Sequence, residues 1–332
     1  MTKLKNLITD VPGVLVGHAT DLKVGSGATA IVFEQPAVAS ADVRGGGPGT
    51  RELDMLDPVA TVERVDAFAL SGGSAFGLET GAGVAAYLAE QGRGFQVRTA
   101  RVPIVPGAIL FDLLNGGDKA WGRYPPYREL GYEAAKAATA DFVLGSVGAG
   151  AGASTENLQG GIGSASAQTA GGSVVGAIAA VNTAGRTTIG GSKHFWAAPF
   201  EQGNEFGGLG WPAKFAADAH VPHLKGRVRE NTTLAVVATD ATLTKPQAKR
   251  LAVMASAGLA RAIYPVFSPL DGDIVFAAST GQRDPGDAVH GLAELGAIAA
   301  NCLARAVARA VFEARTLSFP GALPSWRDRF GG

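Results

Sequence analysis

The chain has 332 residues, enough for one large α/β domain or two smaller ones with a substantial core. Lys plus Arg and Asp plus Glu each total 29, so the formal charge is zero, which argues against a nucleic-acid footprint or an acidic tail. No stretch reaches the ~18 uninterrupted apolar residues that read as a membrane span. The start, "MTKLKNLITDVPGVLVGHATD", has neither an apolar signal core nor a cleavage site, so a soluble cytoplasmic protein with no membrane partner is expected.

In chain order, apolar and β-branched runs predict strands near 14–18, 28–33 and 66–71, followed by a helix over 74–91. A helix over 127–139 comes next, then strands near 141–146, 173–181 and 233–239. A helix over 244–263 opens on Thr244 and Gln247, which form a T-x-x-Q capping box, with Leu251, Met254, Leu259 and Ile263 at helical spacing. A strand near 273–279 and a helix over 287–314, with Asp287 at its start, complete the set. Strands and helices interleave without a linker, so a single layered α/β domain over 1–332 is expected. The exception is 194–230, a stretch of turn formers and aromatics whose length without a period marks a functional loop.

Glycine is 47 of the residues, about twice the usual ~7%. The glycines cluster in "RGGGPGT", "SGGSAFGLETGAGV", "GSVGAGAGAS" and "GGIGSAS", between well-patterned apolar segments. "GAGAGA" (148–153) fits a dinucleotide fingerprint by spacing. However, no Asp or Glu lies between Glu156 and Glu201, and the following residues start a helix poorly, so nucleotide binding is not expected. His220 and His223 form the one close histidine pair and lack a third ligand, so no metal is expected. Cys302 lies in an Ala/Leu-rich helical pattern with no His or acid near it in sequence, which reads as a core thiol. No G-x-S-x-G is present.

"ENTTLAVVATDATLT" is the segment that asks for an explanation. Asn231-Thr232-Thr233 opens a β-branched strand directly after the long loop. An ordinary strand start, a glycosylation sequon and a self-cleavage site compete, and a cytoplasmic chain removes the sequon. Downstream, "SPLDGDIVFA" sets Asp271-Gly272-Asp273 before another strand. A D-G turn is the simple reading, but strands on either side of the 244–263 helix can share one sheet edge.

Taken with "DVPGVLVGHATD", "ADVRGGGPGTRELD", "LSGGSAFGLETGAGV", "VPGAILFDL", "GGIGSAS", "NTTLAVVATDATLTKPQAKRLA" and "DGDIVFA", nearly the whole chain resembles one family. It is the DmpA-type L-aminopeptidase/D-amidase-esterase family of self-processing N-terminal-nucleophile hydrolases. The β-peptidyl aminopeptidases and the nylon-oligomer hydrolase NylC belong to it. The resemblance implies an αββα-type sandwich, cleavage into 1–231 and 232–332, and a homo-oligomer, tetrameric or larger, of cleaved protomers. It implies Thr232 as nucleophile after cleavage of Asn231–Thr232, with Asp271 and Asp273 orienting the new amine and Asn182, in "AAVNTAG", stabilising the oxyanion. Neither metal nor organic cofactor is implied.

The activity implied is hydrolysis of small peptides, amino-acid amides or oligoamides. An acyltransferase of the ornithine acetyltransferase kind is the first alternative, and a non-catalytic ligand-binding or scaffold protein the second. Two departures from the family stand out. After "GAG", where NylC-type relatives carry Lys, this chain offers Asn157 and Gln159, and Phe111 replaces a Tyr found in others. Ser74, Phe111 and Asn157 are therefore the candidates for the substrate pocket.

Overall fold

The computed structural model describes residues 4–225, 231–269 and 271–331. Its strands are β1 (Val14–Asp21), β2 (Ser26–Val43), β3 (Gly49–Arg51), β4 (Arg64–Ser71), β5 (Phe95–Val97), β6 (Ala100–Val102), β7 (Gly107–Ile109), β8 (Gly161–Gln168), β9 (Val174–Asn182), β10 (Thr232–Ala241) and β11 (Ile274–Arg283). Its α-helices are α1 (Thr80–Glu90), α2 (Tyr127–Lys136), α3 (Lys245–Ala255), α4 (Ala257–Ala262), α5 (His290–Phe312) and α6 (Trp326–Phe330). The large sheet runs β3-β7-β4-β2-β11-β10-β9-β8, with β1 also on β2, and β5–β6 form a separate hairpin. The pairs β10–β11 and β4–β7 are parallel.

Strand β2 gives the architecture its shape. Its first half pairs with β1 and its second half with β11, and its register against β4 shifts between Val32 and Ala37. An irregularity of that kind bends and twists a strand, so one long strand serves both leaves of a sandwich. The leaves enclose Ile31, Phe33, Phe68, Ile178, Leu234, Val236 and Phe276. Alternate residues of β10, Ala235 and Val237, point the other way into a layer closed by Leu251, Leu259, Leu303 and Val307 of α3, α4 and α5. On the opposite outer face, Ala30, Val32 and Ala67 meet Val84, Leu88 and Ala134 of α1 and α2. Four layers of structure thus enclose three apolar layers.

Most predicted elements are present, with informative exceptions. The capping box at Thr244 forms, its hydroxyl accepting the Gln247 N–H. The expected 244–263 helix breaks at Ser256, whose hydroxyl donates to Asp42 and to the Ala252 carbonyl, both at 3.0 Å. Asp287 accepts N–H bonds from Val289 and His290 and so starts α5 three residues later than its own position. Residues 141–146 form no strand; only Gly145 pairs, with Ile162, because this segment does not run along the β8 edge.

Strand β8 is absent from the sequence-based expectation because "GIGSASAQ" has one β-branched residue. Its small residues instead admit α5: a Cβ on Gly163 would stand 1.9 Å from the Ala306 carbonyl oxygen. Helix α5 is long and apolar enough to cross a membrane, and most of it is buried against the sheet. Cys302 lies inside this layer, where burial pushes its thiol up to about 12.

The loop expected over 194–230 is irregular through residue 225 apart from one short turn at Ala198–Phe200, and 226–230 lie outside the described residues. It is nonetheless anchored. Glu205 accepts from Arg305 of α5 at 2.6 and 3.0 Å, and Arg305 also reaches Asn6 near the N-terminus. Burial opposes the Glu205 charge, but Arg305 and Asn6 outweigh it and hold the carboxyl below its usual range. Trp196, Phe215, His220 and Tyr264 pack ring against ring over the same loop.

Candidate active site

The last residue of β9 stands opposite the first residue of β10, Asn182 against Thr232. On the other side of β10, Leu234 registers with Ile274, and the parallel pairing extends back to Asn231 beside Asp271. The β-branched run after Thr232 commits β10 to the sheet interior. Its entry, the β9 exit and the D-G-D segment therefore meet at one edge.

At this edge the Thr232 hydroxyl donates to the carbonyl oxygen of Asn231, the residue just before it. The Gly272 N–H donates to the same oxygen at 3.1 Å. A side chain at 272 does not fit there: a Cβ would lie 2.6 Å from Thr232 Oγ1 and 2.8 Å from the Gly47 carbonyl oxygen. Asn231 and Thr232 are each 3% exposed, so this peptide bond is shielded from water. Both polar atoms of the Asn231 side chain are buried without a hydrogen-bond partner among the described residues. A buried amide left unmet costs on the order of 1–3 kcal/mol per group.

The two aspartates frame the strand entry. Asp271 accepts from the Ala184 N–H at 3.1 Å and from the Ser268 hydroxyl at 2.9 Å. Asp273 accepts from the Thr233 N–H at 2.7 Å and from the Phe267 N–H at 3.2 Å. Burial raises both carboxyls above their usual range, and repulsion from Asp271 helps push Asp273 up to about 7. At neutral pH the pair therefore carries less than two full negative charges.

Asn182 is held on both edges of its amide. Its Oδ1 accepts from the Ser154 N–H at 3.0 Å and from Lys225 Nζ at 2.9 Å, and its Nδ2 donates to the Phe111 carbonyl at 2.9 Å. Phe111 thus reaches the cluster through its backbone. Ser74 stands one residue back along that segment, its N–H on the Leu110 carbonyl. Asn157 lies in a turn with Thr155, and its carbonyl accepts from Arg329; its hydrogen bonds go to neither Thr232 nor Asn182. Gln159 bonds the Ala153 carbonyl.

Two groups were not visible in the sequence as members of this site. The Gly272 N–H had a signal, because glycine between two acids permits close approach. Lys225 had none: it sits in the irregular loop in no motif, and only the folded chain brings it to Ser154 and Asn182. Among the described residues no group of three or more His, Cys, Asp or Glu could hold a metal ion.

Comparison with known proteins agrees with this geometry. The profile of peptidase family S58 matches residues 6–322. An uncharacterized aminopeptidase of Mycobacterium bovis is 41% identical over 98% of this chain and 98% of its own. A 6-aminohexanoate-oligomer endohydrolase of Kocuria sp. is 27% identical over 85% of this chain and 77% of its own. The solved L-aminopeptidase D-Ala-esterase/amidase of Ochrobactrum anthropi, described as a variant among the Ntn hydrolase fold, superposes with a TM-score of 0.72. It is 19% identical, over 98% of this chain and 92% of that one, and so speaks for the fold. The chain belongs to peptidase family S58 and is a peptide-bond hydrolase with an Ntn-hydrolase fold.

Proposed function

We propose that this family S58 member cuts its own Asn231–Thr232 bond and then uses the released Thr232 as the nucleophile of an aminopeptidase or amidase. The observation that carries the reading is the Asn231 carbonyl oxygen, which bonds both the Thr232 hydroxyl and the Gly272 N–H. A nucleophile beside the carbonyl group it attacks and a backbone donor on the oxygen that becomes negative are the two needs of acyl transfer.

In self-cleavage, Thr232 Oγ1 bonds to the Asn231 carbonyl carbon as its proton passes to the Thr232 nitrogen. The C–N bond breaks, leaving an ester to the hydroxyl and a free α-amine, and water then hydrolyses the ester. In the mature site, that amine (unperturbed pKa ~7.7–8.0) takes the hydroxyl proton more readily at neutral pH than a lysine of ~10.4. Two ionised carboxylates would hold the amine in its charged form. Burial of Asp271 and Asp273 relieves this by keeping the pair partly protonated. Asn182, a neutral donor opposite Thr232, suits the oxyanion of the substrate's acyl group.

Small peptides and linear amides are the proposed substrates, a range supported by the aminopeptidase and 6-aminohexanoate-oligomer relatives. N-terminal sequencing of the smaller fragment tests the reading: it should begin Thr-Thr-Leu-Ala-Val. Any other start removes Thr232 from the nucleophile role.

A further inference from the structure

We propose that Lys225 is a positioning residue for Asn182, fixing the orientation of its amide and strengthening its donor edge. This rests on the reading of Thr232 as nucleophile and of Asn182 as an oxyanion donor.

The contacts interlock. Lys225 Nζ donates to Asn182 Oδ1 at 2.9 Å and to the Ser154 carbonyl at 3.2 Å, while the Ser154 N–H donates to the same Asn182 oxygen at 3.0 Å. The Lys225 backbone N–H is tied to the Ala184 carbonyl at 2.8 Å, and the Ala184 N–H bonds Asp271. The lysine is therefore clamped at both ends, half-buried, between the proposed oxyanion donor and a residue that holds one of the two acids. Its charge also favours ionised Asp271.

An amide has two chemically opposite edges, and the wrong one would turn lone pairs toward a developing oxyanion. An ammonium has three donors and no acceptor, so only the oxygen edge of Asn182 can face Lys225. The NH2 edge must then lie on the other side, where it meets the Phe111 carbonyl. A charge-assisted bond is roughly twice as strong as a neutral one, and polarising the amide at oxygen makes its N–H groups better donors. Lys225 also stands only six positions before the scissile bond, on the fragment that cleavage releases from Thr232, so its hold on Asn182 is built into the precursor.

The test is a double-mutant cycle on kcat of the cleaved enzymes toward an aminoacyl p-nitroanilide, with Lys225→Met, Lys225→Arg, Asn182→Ala and the Lys225→Met/Asn182→Ala pair. Losing one charge-assisted bond predicts that Lys225→Met lowers kcat about 10- to 100-fold while KM stays nearly unchanged. Lys225→Arg should recover most of that rate. In the Asn182→Ala background, Lys225→Met should cost no more than about twofold, because a residue acting through Asn182 has nothing left to position. Wild-type kcat in Lys225→Met, or its full loss repeated on top of Asn182→Ala, overturns the role of Lys225 alone. Failure of the wild-type chain to cleave overturns the Thr232 reading and this inference with it.

Discussion

Thr232 and Gly272 meet on a single atom, the carbonyl oxygen of Asn231: one through its hydroxyl, the other through its N–H. The residues are 40 positions apart, and parallel pairing of β10 with β11 brings them together. The arrangement tolerates no side chain at 272.

Gly272→Ala should therefore block maturation while leaving the fold intact. The added methyl must displace Thr232 Oγ1 or the 47–48 backbone, and either shift spoils the attack geometry. Gly171→Ala is the control, since its methyl would meet only the Thr169 hydroxyl, at 3.9 Å. Uncleaved chain should accumulate for the first variant and not for the second, as read on a denaturing gel.

Asn231 buries an amide with no partner among the described residues, and Leu has nearly its shape without its polar atoms. Asn231→Leu, made in the non-cleaving Thr232→Ala background, should raise Tm by several degrees. Removing one or two unmet groups is worth on the order of 1–3 kcal/mol each, and about 2–4 °C per kcal/mol applies to large domains. A fall in Tm would mean that the amide has partners in solution.

Asp273 gives a pH dependence with a definite sign. Its folded-state pKa of about 7 lies above the ~3.9 of an unfolded aspartate, so the native state holds this proton longer. The stability it contributes is present below about pH 4 and is lost as pH rises toward about 7. Asp273→Asn removes that loss. Compared in the Thr232→Ala background by denaturant unfolding, the Asn variant should gain up to about 4 kcal/mol on the Asp form between pH 4 and pH 8. A difference independent of pH would show that Asp273 is ionised at neutral pH as in water.

Much of the fold and of the candidate site was legible in the sequence because the candidate residues sit in short contiguous runs at strand ends. "NTTLAVVATDA" states a strand and its first residue, "AAVN" ends another, and D-G-D leads into a third. Strand pairing then brings Thr232, Asn182 and Asp271 to one edge without help from the loops. The hidden parts have physical reasons. Strand β8 is made of small residues whose value lies in admitting α5, so it carries no β-propensity signal. The break after α3 depends on Asp42, more than 200 positions away, reaching Ser256. Lys225 acts at a distance of 43 residues from Asn182 through one long flexible side chain, which no spacing rule describes. Asn157 was singled out by its position after the glycine segment, yet the fold turns it to Thr155 and Arg329.

The most direct measurement is the intact mass of the Thr232→Ala protein beside that of the wild type. Alanine keeps the strand start and removes the hydroxyl that lies on the Asn231 carbonyl. The wild type should give two masses, for 1–231 and 232–332, and the variant a single mass for the full chain with no amidase activity. A Thr232→Ala chain still cut between 231 and 232, or a wild type that remains whole while hydrolysing aminoacyl amides, would contradict the account.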